Sequence, residues 1–248
     1  MRRRRSWRWD VVIKIGGSLG RGRSLPRLLA RVSRLARHRR LLVVPGGGLF
    51  ADLVRGEQAR HRLAEPSAHR MALRAMDQYG LLLSALCPGA RPVDDLALAR
   101  RVAAGGRVPV LLASAIVERE RRLERSFRLT SDSIAAFLAR RVRADRLVLL
   151  KACAGEAGPV ARSRLRRLAR RGVVDRLFPA LAPPRAETWI VNGRTTGWER
   201  VVSQAAATDE ARLNRDRGRR GARRGRRGAA RGPEGRRGPR RRARRARR

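Results

Sequence analysis

Short apolar runs rich in β-branched residues alternate with stretches of helical periodicity along most of this chain, and that alternation leaves few architectures open. Asp10–Ile15 (DVVIKI), Leu41–Val44, Val108–Leu112, Arg146–Lys151 (RLVLLK) and Thr188–Val191 read as strands. Leu25, Leu28, Leu29, Val32, Leu35 and Ala36 recur at helical spacing after the first of them. A long helix from Ser67 sets Met71, Ala75, Met76, Tyr79, Leu82 and Leu86 on one stripe. Further helices are expected from near Phe50, from Leu129–Asp132 through about Val142, over Ala161–Arg171 and over Trp198–Ala206. Charged Arg119–Arg128 reads as a hairpin or loop. Strands and helices in this order build an α/β sheet with helices on its faces.

With 42% apolar residues in 248, the chain can bury one sizeable core. Val108–Val117 is the longest apolar run; Pro109 and Ser114 interrupt it, and it is shorter than the ~18 residues of a membrane span. The arginine-rich start lacks the apolar stretch of a signal peptide. Cys87 and Cys153 lie far apart, and His38, His61 and His69 form no HExxH, so no metal site is expected and a reducing, cytoplasmic setting is. The net charge of +42 is carried by arginine, a bias that GC-rich codon usage also produces, so charge alone says little about function. Residues 212–248 hold 19 arginines against Asp216 and Glu234. The expected division is therefore a folded domain over 10–210 and a disordered Arg/Gly-rich tail over 211–248, which cannot bury enough surface to offset its ordering entropy. No aromatic residue interrupts the tail, so nucleic-acid binding there would be nonspecific at most. Such a composition is also what a GC-rich reading frame gives when translated out of register.

Lysine is nearly absent. Of 62 basic residues only Lys14 and Lys151 are lysines, and both sit in strands, VIKI and LVLLK. A buried strand has little use for an unpaired ammonium. In a parallel sheet the carboxyl ends of the strands line one crevice, where two ammonium groups suit a polyphosphate. Lys14 is followed by Gly16, Gly17 and Ser18, a turn that lets backbone N–H groups approach an anion, although no GxxxxGK[ST] pattern is present. Pro45-Gly46-Gly47-Gly48 after the second strand reads as a second anion cradle; with Ala51 it also meets the weaker G-x-G-x-x-A dinucleotide pattern. Thr130-Ser131-Asp132-Ser133 opens a helix, as capping residues do, and its Asp132 could equally orient both lysines.

In this order, KIGGS, PGGG, TSDS and the ADRLVLLK strand resemble the amino acid kinase family, over about Asp10 to Val202. The resemblance implies a three-layer αβα sandwich with a mainly parallel sheet, and ATP with Mg²⁺ at the strand C-termini. It implies that Lys14 contacts the transferring phosphoryl group, that Asp132 organises the lysines and that Lys151 stabilises phosphate charge. Gly16, Gly17, Ser18, Thr130 and Ser131 would hold ATP phosphates, and Gly46, Gly47 and Gly48 the acceptor. Ala68-His69-Arg70-Met71-Ala72 and Ala75-Met76-Asp77-Gln78-Tyr79-Gly80 are similar to the short kinases of methanofuran-type cofactor biosynthesis, which convert an aminomethyl-furan phosphate to a diphosphate. His69 and Asp77 would then touch the acceptor, the alternative for His69 being a surface residue of the first helical turn. Ala152–Pro159 stands where uridylate kinases carry Val-Asp-Gly-(Val/Ile)-Tyr, which argues against that activity. The expected protein is thus an ATP-dependent phosphotransferase on a small-molecule acceptor, a homo-oligomer without membrane attachment. The alternatives are a uridylate, aspartate or acetylglutamate kinase-like activity, or a degraded-fold binding protein.

Overall fold

On β1 (Val11–Ile15) successive side chains point to opposite sides of the sheet, so Val11, Ile13 and Ile15 share one face while Val12 and Lys14 share the other. The same alternation on β5 (Arg146–Lys151) sends Val148 and Leu150 one way and Leu147, Leu149 and Lys151 the other. In the computed structural model, β1 and β5 are parallel neighbours in register Ile13↔Val148 and Lys14↔Leu149, so both lysines emerge on one face of the sheet. The structure describes residues 7–204; the expected tail, and the last residues of the expected C-terminal helix, lie outside them.

The remaining strands are β2 (Leu41–Pro45), β3 (Ala90–Val93), β4 (Val108–Leu111) and β6 (Glu187–Asn192). They complete an all-parallel sheet in the order β3-β4-β2-β1-β5-β6. The helices are α1 (Leu25–Ala36), α2 (Gly48–His61), α3 (Glu65–Leu86), α4 (Leu96–Ala104), α5 (Ser114–Arg119), α6 (Ser131–Arg141), α7 (Arg162–Arg170), α8 (Phe178–Leu181) and α9 (Trp198–Ser203), with a 3₁₀ turn at Gly17–Arg21. Each face of the sheet carries its own core. Val11, Ile13, Ile15, Val148 and Leu150 pack with Leu25, Leu28, Leu29 and Val32 of α1 and with Trp198 and Val202 of α9. Val12, Leu147 and Leu149 pack with α4, with Ile134, Ala135 and Leu138 of α6 and with Leu165 and Leu168 of α7. The result is a three-layer αβα sandwich. After β2 the chain builds outward to β4 and β3, then returns to place β5 on the other side of β1, so the order reverses there and opens a crevice at the strand C-termini.

The stripe expected on α3 is rotated. Ala75, Met76 and Tyr79 are buried as expected, but so are His69, Leu73, Gly80 and Leu83, while Met71, Leu82 and Leu86 are exposed. The cause is that α3 packs on α2 along one side and on the sheet along another, so its buried surface is wider than one stripe. Residues 119–128 contain no strand; Arg119 closes α5 and the rest is a loop pinned by buried Leu123. No described helix is long and apolar enough to cross a membrane.

Candidate active site

Asp132 stands at the first turn of α6 and is 4% exposed. Its Oδ1 lies 2.8 Å from Lys14 Nζ and its Oδ2 accepts a 2.6 Å hydrogen bond from Lys151 Nζ. One carboxylate thus bridges two ammonium groups, and the cluster carries a net positive charge beside a helix N-terminus, itself favourable to anions. Lys151 also donates to the carbonyl of Val173 at 2.6 Å. Burial by itself pushes the Asp132 carboxyl up; the Lys14 and Lys151 ammonium groups outweigh it and hold the group below the ordinary carboxylate range. At neutral pH Asp132 is therefore an ionised acceptor with no proton to give.

The two glycine turns rest on each other. A Cβ at Gly17 would lie 2.2 Å from Gly48 N, and one at Gly46 would lie 2.7 Å from Gly17 N. Gly48 adopts φ +59°, which side-chain-bearing residues rarely take, and opens α2 directly. Beneath both turns lies the buried ring of Tyr79, where a Cβ at Gly48 would come within 2.9 Å of Cδ2. The glycines are thus required first by loop-on-loop packing, which brings the backbones after β1 and β2 to one place at the crevice. Ser18 is exposed there.

Thr130 caps α6, its side chain accepting from Asp132 N, and donates its hydroxyl to Asp175 at 2.7 Å. Asp175 also accepts from Ser133 N at 3.0 Å, from the Ser133 hydroxyl, and from Leu177 N and Phe178 N at the start of α8. This residue escaped the sequence reading because its partners at 130 and 133 are more than forty positions away, with no motif linking them. Its carboxylate locks the turn that aims Asp132. Asp175→Ala should lower the unfolding free energy by about 3 kcal/mol, since charged hydrogen bonds are lost and buried donors stranded. For a domain of this size that is a fall of about 10 °C in Tm, readable by calorimetry.

His69 is buried, and that burial lowers its imidazole pKa. Gly47, His69, Thr130 and Ser131 line one cleft with Ala51, Met76 and Ile134. Asp77 does not line it. Its carboxylate accepts from Ser114 N at 3.2 Å and from the Ser114 hydroxyl, tying α3 to α5, and burial raises its pKa despite those bonds. Among the described residues no group of three or more His, Cys, Asp or Glu could hold a metal ion. Residues 152–160 follow the edge of β6: Glu156 N donates to Ile190 O at 2.8 Å and Val160 N to Thr188 O at 2.7 Å. A Cβ at Gly155 would lie 2.8 Å from Val191 Cα, so this glycine serves the close approach to that strand.

Known proteins match this arrangement. The model of the amino acid kinase family matches residues 10–155, from the first strand past both lysines. The [5-(aminomethyl)furan-3-yl]methyl phosphate kinase of Methanocaldococcus jannaschii is 24% identical over 192 residues, covering 74% of this chain and 88% of that protein. Among solved structures, uridylate kinase from Archaeoglobus fulgidus superposes with a TM-score of 0.61 at 20% identity, covering 78% of this chain and 95% of that one. UMP kinase from Bacillus anthracis does so at 0.55 and 14% identity, covering 79% and 93%. The fold is shared with these structures, and the family match spans more than half of the sequence, including the bridged lysines. This chain belongs to the amino acid kinase family and is a phosphotransferase of it.

Proposed function

We propose that this protein transfers the γ-phosphoryl group of ATP to a phosphomonoester, an aminomethyl-furan phosphate, giving the diphosphate and ADP. The observation that carries the transfer chemistry is the Lys14–Asp132–Lys151 bridge at the strand C-termini. Phosphoryl transfer asks mainly for positioning and charge neutralisation, which two fixed ammonium groups and a helix N-terminus supply. An oxygen of the acceptor phosphate attacks the γ-phosphorus, the bond to the β–γ bridging oxygen breaks, and ADP leaves with that electron pair. Lys14 neutralises the transferring group and Lys151 the phosphates behind it, while Asp132 holds both without exchanging a proton. Gly16, Gly17 and Ser18 cradle the ATP phosphates, and Gly46, Gly47 and Gly48 face the acceptor. Mg²⁺ bound together with ATP would add to this charge neutralisation. Thr130 and Ser131 bound the same cleft as His69, which makes His69 the better placed of the two α3 candidates; Asp77 holds α5 instead.

The furan acceptor is supported by the segments around His69 and Asp77 and by the Methanocaldococcus relative, itself a furan phosphate kinase. We place the protein in the cytoplasm; its working form is a homo-oligomer, a reading supported by Leu49 and Leu53 of α2, which are 60% and 66% exposed. The deciding assay follows ATP consumption with Mg²⁺ against the aminomethyl-furan phosphate, UMP, acetylglutamate and aspartate. Turnover with the furan phosphate, with a diphosphate resonance in the ³¹P spectrum, is the expected result. Turnover with another member of the panel overturns the acceptor. Silence with nucleotide still bound does the same, and silence without nucleotide binding overturns the kinase reading itself.

A further inference from the structure

Helix α7 is built against its own electrostatics. Five of its nine residues are arginine, and no acidic residue sits in its first turn to meet the helix dipole. Arg162, Arg166 and Arg170 repeat every four residues, so three like charges stand one above another on an exposed face. Helix α2 treats the same composition differently: Asp52 pairs with Arg55, and Glu57 with Arg60 and His61. On α7, among the described residues, Arg164 alone is paired, with Glu156 at 2.7 Å. Arg176, in the turn before α8, likewise has no carboxylate partner among them. Codon bias accounts for the number of arginines and not for this uncompensated alignment.

Arg162, Arg166, Arg170 and Arg176 line one groove between α7 and α8, with a volume of about 890 Å³, which Pro179 and Ala180 also line. Neither a carboxylate nor an aromatic ring lines it, and it shares no residue with the lysine bridge, the glycine turns or the cleft at His69. A concavity of this size suits a small ligand. Four cations that repel one another around it are satisfied by a ligand with several negative charges close together. Guanidinium groups take phosphate oxygens two at a time, which makes phosphates the fitting charges. Without an aromatic platform the groove offers a nucleic-acid base nothing to stack on.

We propose that the α7–α8 groove is a second anion site that binds a short run of phosphates, either free polyphosphate or the triphosphate arm of a nucleotide. Arg162, Arg166 and Arg170 follow the run along α7, and Arg176 reaches it from the turn before α8. The site stands apart from the transfer reaction and does not depend on which acceptor that reaction uses.

The test is calorimetric titration of the full chain with inorganic tripolyphosphate, in physiological salt at fixed free Mg²⁺, with the active site saturated by a non-hydrolysable ATP analogue. Wild type should bind tripolyphosphate, and Arg166→Gln/Arg170→Gln should weaken that binding at least about tenfold, as loss of charge-assisted contacts requires. Arg27→Gln/Arg34→Gln takes as much charge from the exposed face of α1 and should change it by less than about twofold, which controls for the general positive field and the arginine-rich tail. Both groove arginines are exposed and their loss relieves repulsion, so the Tm of the groove variant should not fall. Titration with the analogue alone separates the sources. A nucleotide source gives two analogue sites per wild-type chain and one in the groove variant; a polyphosphate source gives one in both. No tripolyphosphate binding, or equal affinity in the two double variants, would overturn the site and make the groove a solvated basic face. Loss of the primary analogue site in the groove variant would overturn it too, because the groove would then belong to the active site. A single-stranded oligonucleotide that displaces tripolyphosphate from the groove at lower concentration would replace the small anion with a nucleic acid.

Discussion

Replacing Lys14 with methionine should lower kcat by about 10³-fold while moving Tm by only a few degrees. The first half follows from the place of Lys14 at the crevice: its ammonium is the charge nearest the point where β1 turns into the first glycine loop, and removing one fixed donor to a developing phosphoryl charge typically costs 10²- to 10³-fold or more. The second half follows from counting charges. The buried cluster holds two ammonium groups and one carboxylate. Taking Lys14 away leaves Asp132 still bonded to Lys151 at 2.6 Å, a neutral pair rather than a stranded ion. Methionine keeps the length of the stem, so the core around Val12 and Ile134 is not opened. Single-turnover measurement with saturating ATP, next to a calorimetric scan, separates the two effects. A variant that keeps more than a tenth of wild-type turnover would remove Lys14 from the reaction; one that unfolds at room temperature would make the bridge a structural device.

The strands were legible where they are buried on both faces. Leu41–Pro45, Val108–Leu111 and the Leu147–Leu150 centre of β5 are continuous apolar runs because helices cover both sides of a parallel sheet. Strand β3 left no such mark. Ala90-Arg91-Pro92-Val93 is four residues long, lies on the sheet edge, and exposes Arg91 and Pro92, so only Val93 is buried and no apolar run marks it. The short helices α5 and α8, of six and four residues, are likewise too brief to show a helical period. On α3 the period was visible and its phase was not, because a helix wedged between another helix and a sheet buries more than one stripe.

The site was legible to the extent that its chemistry stands out against the composition. In a chain that otherwise uses arginine, two lysines in strands mark themselves, and their equal parity on neighbouring strands sends them to one face. The glycine turns were visible as glycine, but the reason for them was not: the contact of Gly17 with Gly48 joins turns some thirty residues apart. Asp175 shows the limit most clearly. Nothing in Val-Val-Asp-Arg-Leu marks it, yet its carboxylate ties the turn at Thr130 and Ser133 to the start of α8. Long-range hydrogen bonds of this kind depend on the finished topology, and a single sequence carries no local trace of them.

Asp132→Asn should be the most damaging single change to the site, and in a different way from Lys14→Met. An asparagine keeps the shape but leaves two ammonium groups at the crevice floor with no counter-charge. Lys14 is 5% exposed, so water cannot replace the lost partner. Uncompensating a buried ion pair in this way costs about 3–5 kcal/mol. For a domain of this size that is a drop in Tm of roughly 10 °C or more. Turnover should fall as well, by at least as much as in Lys14→Met, because both lysines lose the group that aims them. The pH dependence separates the electrostatic cause from simple loss of packing. The folded-state pKa of Asp132 lies below its unfolded value, so its stabilisation is fully present above the ordinary aspartate pKa of about 3.9 and is lost as pH falls through the folded value. The stability gap between wild type and Asp132→Asn should therefore be constant from neutral pH down to the upper edge of the carboxylate range, then close as the wild-type carboxyl takes up its proton. Denaturant unfolding of both proteins across that range reads the gap directly. A gap that persists unchanged well below the folded pKa would mean that the amide fails for reasons of shape, and that charge neutralisation by Asp132 is not what holds the two lysines together.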